Sequence, residues 1–188
     1  MKKKLLYIGH TGTLGQSFVR NYCDKFEIIG LARTALGHPK VRDVQANITK
    51  CNWDYVMADV GPVDAVVHSV MRRPWNPPAT IAEFTDEFIM DELNLQVTSV
   101  FKLLRYLKQN WEGNFEGKSI VIVSSTSAKG STRQNQFVYS PAKGAQLVIV
   151  ENARHHFGAA RIEYLLAGHF PSDDLPTATV AKQVHDLL

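Results

Sequence analysis

Short, continuous apolar runs alternate with stretches of helical spacing along most of this chain. Leu5 to Ile8, Ile28 to Ala32, Ala65 to Val67 and Ile120 to Val123 carry apolar residues at successive positions. Successive side chains on a strand point to opposite faces, so such runs suit strands buried on both sides. Shorter strands are predicted around Val44 to Ala46 and Ile162 to Leu166. Between them, helices are predicted over Gly15 to Cys23, Trp53 to Val60, Asp86 to Asn110 and Tyr139 to Phe157. Alternating β and α units predict an α/β fold, a parallel sheet with right-handed crossovers and helices on both faces. Ligands of such sheets sit at the carboxyl ends of the strands. Chemistry is therefore sought at the ends of the first, second, fourth and fifth strands.

Composition changes this picture little. A length of 188 residues suits one domain with a substantial core, and a net charge of +3 is mild. Lys2, Lys3 and Lys4 form a short solvated run rather than a nucleic-acid patch, and the apolar stretch after them is too short for a signal peptide or membrane span. Cys23 and Cys51 lack metal-ligand spacing and read as free thiols of a reducing cytoplasm. Neither a metal, a nucleic acid nor a membrane is expected as a partner.

Gly9-His10-Thr11-Gly12-Thr13-Leu14-Gly15 follows the first strand directly and opens a helix. Glycines at its first, fourth and seventh positions permit a sharp turn and close approach of a pyrophosphate, which the helix N-terminus attracts. The alternative is a tight turn with no ligand, since the G-x-G-x-x-G form is not met literally. After the second strand stands Arg33, with no acid to bind a ribose 2′-hydroxyl. An arginine there suits the 2′-phosphate of NADP(H); otherwise it is a solvated side chain. Tyr139 and Lys143 are four residues apart on a predicted helix. That spacing puts both on one face, where an ammonium favours the phenolate and the pair can move a proton to or from a carbonyl oxygen.

Together these residues resemble the short-chain dehydrogenase/reductase family, over nearly the whole chain. The closest likeness is to compact, divergent members with a G-x-x-G-x-x-G turn. Asn47-Ile48-Thr49 stands where the family has an acid that contacts the adenine, and Gly61 to Val67 is similar to the approach to its fourth strand. Asn94, Ser125, Tyr139 and Lys143 match the catalytic four. The resemblance implies a Rossmann-like doubly wound sheet and carbonyl/alcohol oxidoreduction with NADP(H). Tyr139 is then the general acid/base, Lys143 lowers its pKa and holds the nicotinamide ribose, Ser125 donates to the reacting oxygen, and Asn94 fixes a water. The turn (Gly9, Thr11, Gly12, Thr13, Leu14, Gly15), Arg33, Asn47, Ile48, Ser69 and Val70 are the remaining cofactor-binding residues it implies. Partners are a small carbonyl or alcohol substrate and a second copy, in a homodimer or homotetramer through the long helices.

Three departures stand out. His68-Ser69-Val70-Met71 replaces the family's Asn-Asn-Ala-Gly, exchanging a close backbone approach for bulk. Strand register favours Ser125 as the serine, whereas the Ser-x-x-Gly form favours Ser127 with Gly130. Ala167-Gly168 stands where the family has Pro-Gly, and the substrate region after it is short. His68 either contacts the nicotinamide side or fills space. Arg72 and Arg73 either grip an anion beside Trp75 or stay solvated on a proline-stiffened loop. His155 and His156 suit the end of their helix. Leu147 to Val150 surround theirs, which predicts cover by another subunit or by the C-terminal tail. The leading reading is a reductase. The alternatives are a cofactor-binding sensor or scaffold with weak or no turnover, and a nucleotide-sugar epimerase, for which too few residues follow Lys143.

Overall fold

The computed structural model describes residues 2–71, 76–131, 133–167 and 177–188. Arg72, Arg73, Trp75 and Gly168 lie outside the described residues, so the readings that fell on them have no structural account. Six strands, β1 (Lys3–Ile8), β2 (Phe26–Ala32), β3 (Val41–Gln45), β4 (Ala65–His68), β5 (Ser119–Ser125) and β6 (Arg161–Ala167), form one sheet in the order β3-β2-β1-β4-β5-β6. Every pairing is parallel. The helices are α1 (Thr13–Tyr22), α2 (Trp53–Val60), α3 (Asp86–Leu93), α4 (Ser99–Trp111), α5 (Tyr139–Arg154) and α6 (Thr177–Leu187).

The sheet is covered on both faces, which is why its inner strands lack a polar side, whereas the edge strand β3 keeps Arg42, Asp43 and Gln45. Leu6, Ile8, Ile29, Leu31, Val66, Ile120 and Ile122 pack with Met57 of α2, Leu103 and Leu107 of α4 and Val150 of α5. Their neighbours Leu5, Tyr7, Ile28, Ala65, Val67, Val121 and Val123 pack with Phe18 and Val19 of α1 and Val180, Ala181 and Val184 of α6. Each strand thus feeds two cores alternately.

Helix starts follow local chemistry. Asn52 accepts from the N–H groups of Asp54 and Tyr55 to cap α2, and Thr85 accepts from Phe88 to cap α3. At α1 the cap position is Gly12, with no capping side chain and no acid in the first turn. The helix expected over Asp86 to Asn110 is interrupted. Asn94–Thr98 forms a wide π-helical turn in which the N–H of Ser99 donates to Asn94 O. Such turns occur often at functional sites.

Two expectations about the far end of the chain change. The C-terminal segment contains α6, which packs on α1 and the sheet rather than over α5. The apolar run on α5 splits: Ile149 and Val150 are buried in the chain's own core, while Val148 is 61% exposed.

Candidate active site

The strand order reverses between β1 and β4, and the cleft lies there. Gly9 has φ +88°, and a Cβ on it would stand 2.1 Å from Ser69 O at the end of β4. A Cβ on Gly15 would stand 2.4 Å from His10 Cα, so these two glycines are required by packing. Gly12 is different: its Cβ would meet only Gly9 O, at 3.3 Å. What its bare backbone gives is an uncovered start to α1, with N–H donors and positive dipole.

A cavity of about 1020 Å³ opens over this turn. Gly9, Thr11, Gly12, Thr13, Leu14, Gly15, Arg33, Asn47, Ile48, Ser69 and Val70 all line it, so the structure gathers the predicted cofactor residues of four separate segments around one space. Thr34, Lys50, Met71, Phe88, Asp91 and Leu95 line it as well. The Asn47 side-chain oxygen accepts from Thr49 N and Oγ, which tightens the loop after β3.

His10 and Asp43, which sequence reasoning missed, brace the turn. The His10 ring is buried and its Nε2 lies 2.5 Å from Asp43 Oδ1. Asp43 also accepts from the N–H groups of Leu36 and Gly37, at 3.0 and 2.9 Å. Partial burial opposes the Asp43 charge, but those two donors and the His10 ring outweigh it and hold the carboxyl below its ordinary range. The loop that follows Arg33 is thereby tied to the glycine turn. Gly30 makes room for this, since a Cβ there would fall 2.3 Å from His10 Cδ2. A glycine in the middle of a predicted buried strand was the available signal.

The second half of the site lies at the end of β5. Ser125 is buried there and its Oγ accepts from Ser127 N at 3.2 Å, which leaves its own O–H to donate. Ser127 sits in the short helical turn Thr126–Lys129, on which α5 packs closely: a Cβ on Gly144 would be 3.0 Å from Ala128 O. Tyr139 is the first residue of α5, and Lys143 Nζ lies 5.7 Å from its ring centroid. The spacing expected of the pair is met, but Lys143 is only 2% exposed. Its ammonium donates to Val123 O and to Gln146 Oε1, both at 3.2 Å. Burial pushes the Lys143 pKa down to about 7, against the opposing charge of Glu92. Neither Tyr139 nor Lys143 lines the cavity, and no hydrogen bond among the described residues joins Asn94 to Lys143.

His68 points inward. Its Nε2 lies 2.9 Å from Ser99 Oγ, while the Ser99 hydroxyl donates to Leu95 O at 2.5 Å. The hydroxyl proton is therefore committed, so His68 Nε2 is the donor. Burial, then the charge of Lys143, push the His68 pKa down to about 3 and keep the ring neutral. The residue locks β4 to the wide turn rather than facing the cavity. Among the described residues no cluster of His, Cys, Asp or Glu is suited to a metal, and no helix is long and apolar enough to cross a membrane.

A parallel sheet with its cleft at the reversal of strand order, an uncapped helix opening on that cleft and a Ser, Tyr and Lys set on the next strand and helix define a dinucleotide-binding α/β oxidoreductase fold. Residues 40–167 match the family model for short chain dehydrogenases, and the chain belongs to that family. No curated protein sequence matches it. Among solved structures it is similar to an oxidoreductase of the short chain dehydrogenase/reductase family from Brucella ovis in complex with a partially ordered NAD, at 16% identity and TM-score 0.81, over 100% of this chain and 93% of that one. It is similar also to an NADH-dependent reductase complexed with NAD, at 14% identity and TM-score 0.83, over 99% and 88%. A short chain dehydrogenase from Mycobacterium smegmatis matches at 17% identity and TM-score 0.80, over 99% and 85%. At such identities these likenesses establish the fold alone.

Proposed function

We propose that this protein is an NADP(H)-dependent reductase that interconverts a small carbonyl compound and its alcohol. The observation that carries the reading is the cavity itself, where an uncapped helix start, Arg33, Thr34 and Lys50 line one space. Fit to the cofactor is supported by Gly9 and Gly15, whose close backbone packing shapes the turn, and by the uncovered N–H groups after Gly12. Arg33 and Lys50 suit a 2′-phosphate, Asn47 and Ile48 the adenine, and Ser69 and Val70 the far half of the cofactor. When bound, the nicotinamide supplies or takes up the hydride.

The remaining work is proton transfer and orientation. Tyr139 gives its phenolic proton to the carbonyl oxygen, or takes one from the alcohol in reverse. Lys143, through its ammonium, makes the phenolate less costly. Ser125 donates its O–H to the same oxygen, and Asn94 at the wide turn holds a water on the Lys143 side. Leu95 and Phe88 supply apolar surface to the cavity. A homodimer through the α4 and α5 faces fits the exposure of Phe101 (56%) and Val148 (61%).

The test is nicotinamide absorbance against a panel of carbonyl compounds, with fluorescence titration of NADPH and NADH. Tyr139→Phe is expected to bind NADPH as wild type does and to lose at least a hundredfold in kcat. Full activity in that variant would end the reading. One observation favours a second reading, a cofactor-binding sensor: Lys143 is enclosed and turned toward Val123 and Gln146. NADPH binding without turnover of any carbonyl would select it.

A further inference from the structure

Beneath the cleft lies a line of buried polar side chains that proton transfer by Tyr139 leaves unexplained. Glu92, Gln96 and Gln146 are fully buried, and Lys143 nearly so. Burying such groups is costly unless each is paired. Glu92 also lies inside the continuous helical run from Asp86 to Trp111, away from either end that a carboxylate could cap. Local helix stability does not explain its position.

The hydrogen bonds run in one direction. Lys143 Nζ, which can only donate, gives to Gln146 Oε1 at 3.2 Å. That turns Gln146 Nε2 toward the wide turn, where it donates to Gln96 O at 2.8 Å and to Gln96 Oε1 at 3.3 Å. Gln96 Nε2 is then left to donate to Glu92 Oε1, at 3.0 Å. A donor-only ammonium at one end and an accepting Glu92 carboxyl oxygen at the other give both amides a single consistent orientation. The wide turn contributes to this, because it holds both Gln96 and the carbonyl that receives Gln146.

We propose that Glu92, Gln96 and Gln146 are positioning residues for Lys143. Glu92 is its buried counter-charge, and the two glutamines link them while holding the ammonium against Val123 O at the end of β5. The inference rests on the reading of Lys143 as the partner of Tyr139. Lys143 is faced by Glu92 from α3, by His68 from β4 and by Tyr139 on its own helix. His68 stays neutral at working pH and adds no charge. Burial of Lys143 disfavours its ammonium, and the Glu92 charge works in the opposite direction. A lysine that lost its proton near neutral pH would give the Tyr139 phenolate no support, so Glu92 extends the pH range in which the pair works.

Glu92→Gln keeps an acceptor for Gln96 while removing the charge. Gln146→Met breaks the chain at similar volume, and Glu87→Gln on the exposed face of α3 is the control. Urea unfolding of the cofactor-free protein across pH reads the proton affinity of Lys143 without any turnover. Glu92→Gln is expected to weaken that affinity about tenfold, so the rise in stability with pH begins lower, and the alkaline limb of kcat/KM moves down with it. Glu92→Asp is expected to restore both, and Glu87→Gln to move neither. A uniform loss of activity with the unfolding profile and the limb unmoved would overturn the proposal. If Glu92→Gln does not fold, Gln146→Met decides in the same way: an alkaline limb at the wild-type position overturns it. A shifted unfolding profile in a protein that turns over no carbonyl compound with NADPH would instead overturn the reductase reading and leave Glu92 as the counter-charge.

Discussion

Lys143 and His68 make the stability of this protein depend on pH in two separate windows. Both are bases whose folded pKa is depressed, to about 7 and about 3. Between the depressed and ordinary values the unfolded chain holds a proton that the folded chain does not, so stability rises with pH there. For Lys143 the cost of burying the ammonium is complete below about pH 7 and relieved as pH rises toward 10.5. For His68 stability falls as pH drops from 6.5 toward 3. Lys143→Met is therefore expected to flatten the alkaline window and to narrow the acid one, because the His68 pKa rises once the Lys143 charge is gone, as read by urea midpoints at a series of pH values. Gly30→Ala tests packing at the same scale. Its Cβ would press on the His10 ring, and a loss of about 1–3 kcal/mol in the urea unfolding free energy is expected. Tyr139, Lys143 and Arg33 stood out in the sequence because each carries a rare chemistry at a telling place, and of the three Arg33 lines the cavity. His10, Asp43, Glu92 and Gln146 were not, since a lone buried polar residue has no sequence pattern until its partner is known.

At the level of elements, the start of α1 sets helix stability against anion binding. Gly12 supplies no cap, and φ −73° there accepts any residue. Gly12→Asp is expected to add only a few tenths of a kcal/mol of stability by capping, since glycine is itself a tolerated cap. The same carboxylate would stand where the pyrophosphate is proposed, so the NADPH Kd should rise at least tenfold. A higher Tm with unchanged NADPH affinity would show that the turn binds no phosphate. Four strands were visible as apolar runs and two as shorter stretches, with ends moved by three residues at most. The break in the helix after Asp86 was not. An α and a π turn carry the same apolar spacing over a few residues, and what selects the wider one here is the long-range pairing of Gln96 with Gln146 and of Ser99 with His68. Helix α6 escaped for a similar reason: Val180, Ala181 and Val184 form a narrow stripe whose meaning depends on α1 behind it.

For the whole molecule, two expectations concern partners and cofactor choice. Arg33→Ala is expected to weaken NADPH binding about tenfold or more while leaving NADH affinity within twofold, as measured by fluorescence titration. Equal losses for both would remove the argument for a 2′-phosphate. Phe101→Glu combined with Val148→Glu should convert the proposed dimer to monomers in light scattering, with the fold retained by circular dichroism. An unchanged mass would place the subunit contact elsewhere or nowhere.

Sequence alone determined the layered α/β architecture, because strands buried on both faces and helices with one apolar face leave few other ways to bury this pattern. It also brought the glycine turn, Arg33, Asn47, Ile48, Ser69 and Val70 to the cleft, since the carboxyl ends of parallel strands lie on one side of the sheet. Only the tertiary structure decided the electrostatic state of the site. The pKa values of Lys143 and His68, the closure of Lys143 against Val123, and the line from Gln146 to Glu92 depend on burial and on contacts between residues distant in the chain. Solvent removal acts through three-dimensional neighbours, and no spacing along the sequence records it.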